Sequence, residues 1–166
     1  MNIKRVLLDT NIYGELVIDR DFENIIKKLK NSNYVKIYGS KIIRDELRNV
    51  PKNLSINNKS LRLLLLMVYD LISKETYPLN KEVYNLAEQY YLTYRSFGGI
   101  KTKKSIIKDF LIIACATLNN LDIVVSGDEK TMLSEISIKS YNLINNILKK
   151  KTANFIDYEK FKRWLL

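Results

Sequence analysis

Short, uninterrupted apolar runs recur along the sequence and alternate with longer stretches in which apolar residues have helical spacing. Residues 3–8, 34–38 and 123–126 have the length and β-branched content of strands, and a last strand is expected at residues 153–156. Runs that are apolar throughout are typical of strands buried on both faces. The pattern therefore predicts an α/β fold in which helices cover both faces of a parallel sheet.

Helical spacing predicts a helix over residues 12–29, with a break near residues 19–21, and a second over residues 41–50 that ends before Pro51. A polar loop is expected at residues 52–58, and a basic loop with two glycines at residues 96–104. The remaining predicted helices cover residues 61–72, 80–94, 106–118 (with Ser105 as its cap), 129–135 and 141–149, and an amphipathic tail ends the chain.

A length of 166 residues fits one domain, expected over residues 1–166 with a Tyr-rich helical insertion at about residues 52–104. Packing between helices is the favoured role of its tyrosines, and stacking on RNA bases or on a partner is the alternative. They are Tyr69, Tyr77, Tyr84, Tyr90, Tyr91 and Tyr94.

The absence of histidine excludes several classes of catalytic site. A Ser-His-Asp triad and a His-based nuclease are impossible without an imidazole. Cys115 is the only cysteine, so it cannot form a zinc site or an internal disulfide. Catalysis, if present, is expected to rely on carboxylates and a hard metal ion.

The 28 Lys and Arg residues outnumber the 18 Asp and Glu residues and give a net charge of +10. Such a balance favours a polyanionic partner, and a solvated, Lys-rich surface is an equally good interpretation. The longest apolar run, residues 63–69, is too short to span a membrane, and Asp9 interrupts the apolar start of the chain. A cytoplasmic protein is therefore expected.

Four carboxylates occupy positions that are unusual for surface residues. Asp9 and Asp128 follow predicted strands, at the sheet edge where α/β proteins bind ligands. Glu46 shares a helix face with Ile42 and Ile43, and Asp109 shares one with Ile112, Ile113 and Ala116. A buried carboxylate must be protonated, paired or bound to a metal.

Each carboxylate also has an ordinary explanation. Asp9 is suited to bracing a turn and Asp128 to capping a helix, while Glu46 has Arg5 or Arg48 as potential partners and Asp109 has a neighbouring lysine such as Lys108. Taken singly, these explanations are favoured, and the convergence of all four on one sheet edge reverses the preference. Asp122 precedes its strand and is interpreted as a turn residue at the opposite edge.

The ordered set of motifs resembles the PIN-domain nucleases, and among them the VapC-type toxins of toxin–antitoxin pairs. Residues 6–11 (VLLDTN) are similar to the opening strand and its Asp-x-Asn turn, and residues 40–47 (SKIIRDEL) to the helix with the second acidic residue. Residues 109–116 (DFLIIACA) resemble the helix with the third. Residues 124–128 (VVSGD) resemble the closing strand, with a hydroxyl two residues before the last Asp.

The resemblance implies a three-layer α/β/α sandwich with a central parallel sheet, and a catalytic cluster that binds Mg²⁺ or Mn²⁺. It implies an endoribonuclease acting on RNA, a homodimer and a cognate antitoxin as partners. The cluster would consist of Asp9, Glu46, Asp109 and Asp128; Asn11 and Ser126 would orient these carboxylates or bind substrate; and we assign the RNA backbone to Lys101, Lys103, Lys104 and Lys108.

Other enzyme classes fit less well. A phosphatase of the haloacid dehalogenase type needs a second Asp where Asn11 stands, and the five glycines are too scattered for a phosphate-binding loop. Two alternatives stay open: a non-toxin PIN nuclease that processes RNA, and a PIN-like RNA-binding or protein-interaction module with little catalysis.

Overall fold

Five parallel strands form the central sheet of the computed structural model, which describes residues 3–166. The spatial order is β5-β2-β1-β6-β7, so β1 lies in the middle and pairs with β2 and β6. A separate antiparallel hairpin consists of β3 and β4. The strands are β1 (Lys4–Leu8), β2 (Val35–Ser40), β3 (Ser55–Ile56), β4 (Lys59–Ser60), β5 (Ser73–Tyr77), β6 (Ile123–Val125) and β7 (Asn154–Ile156).

Helices flank this sheet in two groups. Helices α1, α2, α3 and α4 contact one another, with α8 against α2, while α5, α6 and α7 form the second group. The predicted α/β sandwich with a central parallel sheet is therefore confirmed. The helices are α1 (Thr10–Ile18), α2 (Phe22–Asn31), α3 (Lys41–Arg48), α4 (Leu61–Ile72), α5 (Lys81–Ser96), α6 (Lys103–Leu118), α7 (Glu135–Ile147) and α8 (Tyr158–Leu165).

The core is one cluster of buried side chains that extends from the central strands to helices of both groups. Val6, Leu7 and Leu8 have no exposed surface, as expected for a central strand covered on both faces. All residues from Phe110 to Thr117 are buried: α6 packs against α5 and α3, and Phe110 also contacts Tyr141 of α7. Each such large apolar side chain contributes roughly 1.5–3 kcal/mol through removal from water.

Four tyrosines of the predicted insertion are buried, which agrees with a packing role. Tyr90 contacts Phe110 and Tyr141 edge-on, and its hydroxyl donates to Asn145 at 2.6 Å. Tyr94 also packs on Phe110. The other two are Tyr69 and Tyr77, whereas Tyr84 is exposed.

The segment between α4 and α5 differs from the sequence prediction, in which it only separates two helices. Residues 73–77 form β5, the edge strand that pairs with β2. Its sequence, SKETY, lacks an apolar pattern because edge strands are half solvated. Next to it, a Cβ on Gly39 would overlap the Tyr69 hydroxyl, which donates to the Ser40 carbonyl at 3.2 Å.

Several predicted boundaries also change. The helix break at residues 19–21 is confirmed, and the predicted loop at 52–58 contains strand β3 of the hairpin. Helix α6 begins at Lys103 after Thr102, so Ser105 lies within its first turn. The helix predicted at residues 129–135 is wrong: residues 129–133 are turns, and α7 starts at Glu135 with Ser134 as its cap. The expected tail forms α8.

Within residues 3–166, helices with enough length and hydropathy to cross a bilayer are absent. The sheet has one edge where all its strands end, because the strands are parallel. Leu8 pairs with Val125, and the Asp9 amide donates to the Val125 carbonyl at 2.9 Å. The register therefore places the residues that follow β1 and β6 side by side.

Candidate active site

Asp9 is the first residue after β1 and the N-cap of α1. Its Oδ1 accepts a hydrogen bond from the Thr10 amide at 2.7 Å, and its Oδ2 accepts one from the Ser126 hydroxyl at 2.8 Å. The residue is only 5% exposed. Both oxygens are held, so the carboxylate has a defined orientation.

Ser126 connects Asp9 to Asp128. Its hydroxyl donates to Asp9 and accepts a hydrogen bond from the Asp128 amide at 3.1 Å. The Asp128 carboxylate turns towards the following residues: Oδ1 accepts from the Lys130 and Thr131 amides at 3.1 and 3.0 Å, and Oδ2 from the Thr131 hydroxyl. Asp128 thus caps a turn, whereas the sequence suggested that it would cap a helix.

Glu46 reaches the same region from α3, which follows β2 without a loop. Its Oε2 accepts a hydrogen bond from the Thr10 hydroxyl at 2.5 Å, and its Oε1 lies 3.4 Å from the Lys108 ammonium. Arg5, one of the partners considered for Glu46, instead donates to the Tyr77 hydroxyl at 2.7 Å. Both oxygens of Glu46 therefore point towards the sheet edge and α6.

Asp109 is partly buried on α6, and its pKa depends on this burial and on the other three carboxylates. Burial is the main cause that raises its pKa to about 7; Thr131 opposes this shift, and the negative charges of Asp128, Asp9 and Glu46 add to it. Burial likewise raises the pKa of Asp9, against its bonds to Ser126 and Thr10 and with added repulsion from Glu46 and Asp128. The four predicted acidic residues thus share one electrostatic environment.

The donor set suits a hard divalent cation, because all four groups offer carboxylate oxygens and their mutual repulsion favours bound positive charge. Within residues 3–166, however, no three carboxylates are grouped closely enough to surround an ion. Asp9, Glu46 and Asp128 each accept hydrogen bonds from the protein. A shared ion would require rotation of some of these side chains.

The other predicted residues have different surroundings. Asn11 is exposed on the first turn of α1, beside an apolar groove of about 490 Å³. Lys101 and Lys104 are exposed, and Lys103 pairs with Glu88 instead of facing the cluster. Lys108 is thus the predicted phosphate-binding lysine that contacts an acidic residue of the cluster. Asp122 lies before β6 at the opposite edge of the sheet, as predicted, where its side chain accepts a hydrogen bond from the Arg5 amide of β1 at 2.9 Å.

Two threonines were not assigned roles from the sequence. Thr10 donates to Glu46 through its hydroxyl and to Asp9 through its amide. Its position directly after Asp9 was a usable signal. Thr131 donates to Asp128 through its amide and its hydroxyl. The sequence predicts a helix over residues 129–135, whereas this contact depends on the turn that the structure shows there.

The raised pKa of Asp109 gives a prediction about stability. Because the pKa is higher in the folded than in the unfolded chain, ionisation of Asp109 destabilises the fold as pH rises from about 4 to about 7. In EDTA at pH 8, Asp109→Asn should therefore unfold at a higher denaturant concentration than wild type, because its free energy of unfolding should be larger by roughly 1–3 kcal/mol. This difference should be smaller at pH 5. A pH-independent loss of stability would instead identify Asp109 as an ordinary structural ion pair.

Comparisons with known proteins identify the family and similar folds. The PIN domain family model matches residues 6–139. No curated protein matches the chain. The fold is similar to chains in crystal structures of VapBC2 from Rickettsia felis bound to a DNA fragment from their promoter (14% identity, TM-score 0.59, covering 92% of this chain and 98% of that one) and of VapBC-1 from nontypeable Haemophilus influenzae (18%, 0.57, 93% and 98%).

A third similar structure is VapBC-5 from Mycobacterium tuberculosis, described as a member of the VapBC family of toxin-antitoxin systems (15% identity, TM-score 0.50, covering 92% of this chain and 96% of that one). At such identities the structural likeness concerns the fold alone. The family match spans most of the sequence and includes all four carboxylates. The chain therefore belongs to the PIN domain family, a family of nucleases.

Proposed function

We propose that this protein is a metal-dependent endoribonuclease that hydrolyses RNA phosphodiester bonds and acts as the toxin of a toxin–antitoxin pair. The observation that carries the proposal is the convergence of Asp9, Glu46, Asp109 and Asp128 at the carboxyl edge of the sheet, where burial and then the charges of the other three raise the pKa of Asp109. A net charge of +10 on the same chain suits an RNA substrate.

In this proposal the four carboxylates hold Mg²⁺ or Mn²⁺. Such an ion lowers the pKa of a bound water, orients it towards the phosphodiester and neutralises charge on the leaving oxygen. In this structure Ser126 and the Thr10 amide hold Asp9 and Thr131 holds Asp128, and some of these bonds would have to break for the carboxylates to share the ion. Lys101 lies just before α6 and Lys104 and Lys108 lie in its first two turns; in this proposal they supply the positive charge for the RNA backbone. Asn11, exposed on α1, contacts substrate.

The toxin assignment is supported by the family and by the toxin-antitoxin description of one similar structure. A cognate antitoxin is the proposed protein partner. The apolar groove beside the carboxylates, lined by Ile18, Leu47 and Leu65 among others, provides a surface for it. The proposed homodimer has a separate surface, the exposed stripe of Leu63, Met67 and Leu71 along α4.

Asp9→Asn and Asp128→Asn should abolish cleavage of labelled RNA in Mg²⁺ or Mn²⁺, because each removes a charged ligand from the cluster. Wild type should lose activity in EDTA and regain it when the metal is restored. Asp45→Asn is the matched control, because Asp45 lies beside Glu46 on α3 but pairs with Lys41 at the surface. Equal cleavage by wild type and both variants would identify a contaminating nuclease and reject the proposal.

Lys108 occupies a position where it competes with the metal for Glu46. Replacing it by Met removes a positive charge near Glu46 Oε1, so the Mn²⁺ concentration needed for half-saturation should fall about 2- to 5-fold. The same change should weaken RNA binding, because a phosphate contact is lost. Mn²⁺ affinity measured by calorimetry and RNA affinity measured in EDTA separate the two effects.

Lys104→Met is the matched control for Lys108. Lys104 lies one turn earlier on the same helix and is exposed, so its loss should weaken RNA binding without changing Mn²⁺ affinity. If Lys108→Met lowers Mn²⁺ affinity or leaves it unchanged, Lys108 does not compete for the metal site.

Expression of the protein alone should arrest bacterial growth, and co-expression of the small gene adjacent to its own should restore growth. Asp9→Asn should remove the arrest while the protein remains folded and still binds the product of that gene. Normal growth on expression of active wild-type enzyme would favour an RNA-processing nuclease instead. Arrest by a variant that lacks nuclease activity would favour an RNA-binding or interaction module.

A further inference from the structure

A second polar cavity lies at the opposite edge of the sheet from the carboxylates. Helix α2 ends at Asn31 and leads into the start of β2 at Val35, so this junction is at the amino edge of the sheet. The cavity has a volume of about 420 Å³. It is lined by two lysines, three asparagines and one tyrosine, namely Lys27, Lys28, Asn24, Asn31, Asn33 and Tyr34.

Positive charge continues from this α2 cavity along the neighbouring surface. Lys27 and Lys30 line an adjoining depression together with one acidic residue, Glu23. Lys30, Lys36 and Lys74 line the next depression towards β5. None of these lysines forms an ion pair with a carboxylate of residues 3–166. Lys36 donates to the Ser32 carbonyl at 2.8 Å, which leaves the exposed Lys27, Lys28 and Lys30 available to an anion.

The cavity also has a fixed aromatic wall. The hydroxyl of Tyr34 donates to the Leu165 carbonyl at 3.3 Å, and its ring contacts the ring of Trp164 edge-on, with the centroids 6.2 Å apart. Amide groups that can bind base edges lie beside it, at Asn31 and Asn33. Ammonium, amide and aromatic groups in one cavity are the combination that binds the phosphates and bases of single-stranded RNA.

We propose that the α2 cavity and the depression next to it are an anchoring site for a single-stranded segment of the RNA substrate, with phosphates on Lys27 and Lys28 of the cavity and on Lys30 of the depression, and a base against Tyr34. The inference rests on the proposed ribonuclease function, because the RNA would extend from this cavity to the carboxylates at the other edge of the sheet. Long RNA therefore gains affinity from the site, whereas an oligonucleotide too short to reach it does not.

The test compares two triple variants with the same change in net charge. One carries Lys27→Gln, Lys28→Gln and Lys30→Gln; the control carries Lys52→Gln, Lys81→Gln and Lys150→Gln, which are exposed and outside the cavity. Binding of a long, labelled single-stranded RNA is measured in EDTA over a range of salt concentrations. The cavity variant should bind at least about tenfold more weakly than the control, with a log–log salt slope shallower by about 2 for three lost phosphate contacts.

Tyr34 tests the aromatic part separately. Tyr34→Ala should weaken RNA binding about tenfold through loss of base stacking, whereas Tyr34→Phe should retain most of the affinity because it keeps the ring. Cleavage of a short oligonucleotide should be the same in the cavity variant and in wild type. Equal losses of RNA affinity in the two triple variants would mean non-specific attraction and overturn the anchoring site.

Lysines near the end of α2 also offset the negative end of the helix dipole. If that were their only role, the cavity variant would melt at lower temperature but bind RNA normally. Binding of duplex DNA or anionic vesicles as tightly as RNA, with the same loss in the cavity variant, would also overturn the proposal. Binding is measured without metal, so it does not depend on cleavage. If the cavity variant alone loses RNA affinity and the wild-type protein never cleaves RNA, the result rejects the nuclease function but keeps the anchoring site.

Discussion

The candidate site is organised around the repulsion among four partly buried carboxylates at one edge of the sheet. The pairing of β1 with β6 places Asp9 beside the segment from Ser126 to Asp128, and α3 and α6 bring Glu46 and Asp109 to the same edge. Burial and three like charges raise the pKa of Asp109 to about 7, so the folded chain bears a cost for keeping these groups together. Such a cost is typical of a site kept for function rather than stability.

Neutral donors make that cost tolerable. Two residues connect pairs of acidic residues: the Ser126 hydroxyl donates to Asp9 and accepts from the amide of Asp128, and Thr10 donates its hydroxyl to Glu46 and its amide to Asp9. These bonds orient the oxygens without neutralising them, so the pocket keeps its negative charge. The one cation in direct contact within the described part of the chain is Lys108, whose side chain is exposed to solvent.

The parallel sheet, and the positions of Asp9 and Asp128 after two of its strands, were predictable because those strands are buried and apolar. Residues 3–8 and 123–126 differ from their surroundings in composition, and an Asp at the end of such a strand is easily recognised. Strand β5 was not predictable, since SKETY pairs with β2 only in the context of the folded sheet. Thr131 was missed for a related reason: whether residues 129–133 form a helix or turns depends on the contacts of Asp128.

The four carboxylates are not equivalent, and their partners indicate how they differ. Asp9 accepts bonds on both oxygens and is nearly inaccessible to water, so it contributes to the structure of the β1–α1 junction as well as to the site. Asp109 has the weakest support, since Thr131 opposes its raised pKa while donating its hydroxyl hydrogen bond to Asp128. A bound cation would therefore relieve Asp109 most, because a carboxylate that shares one hydroxyl donor gains more from an opposite charge than one held by several neutral donors.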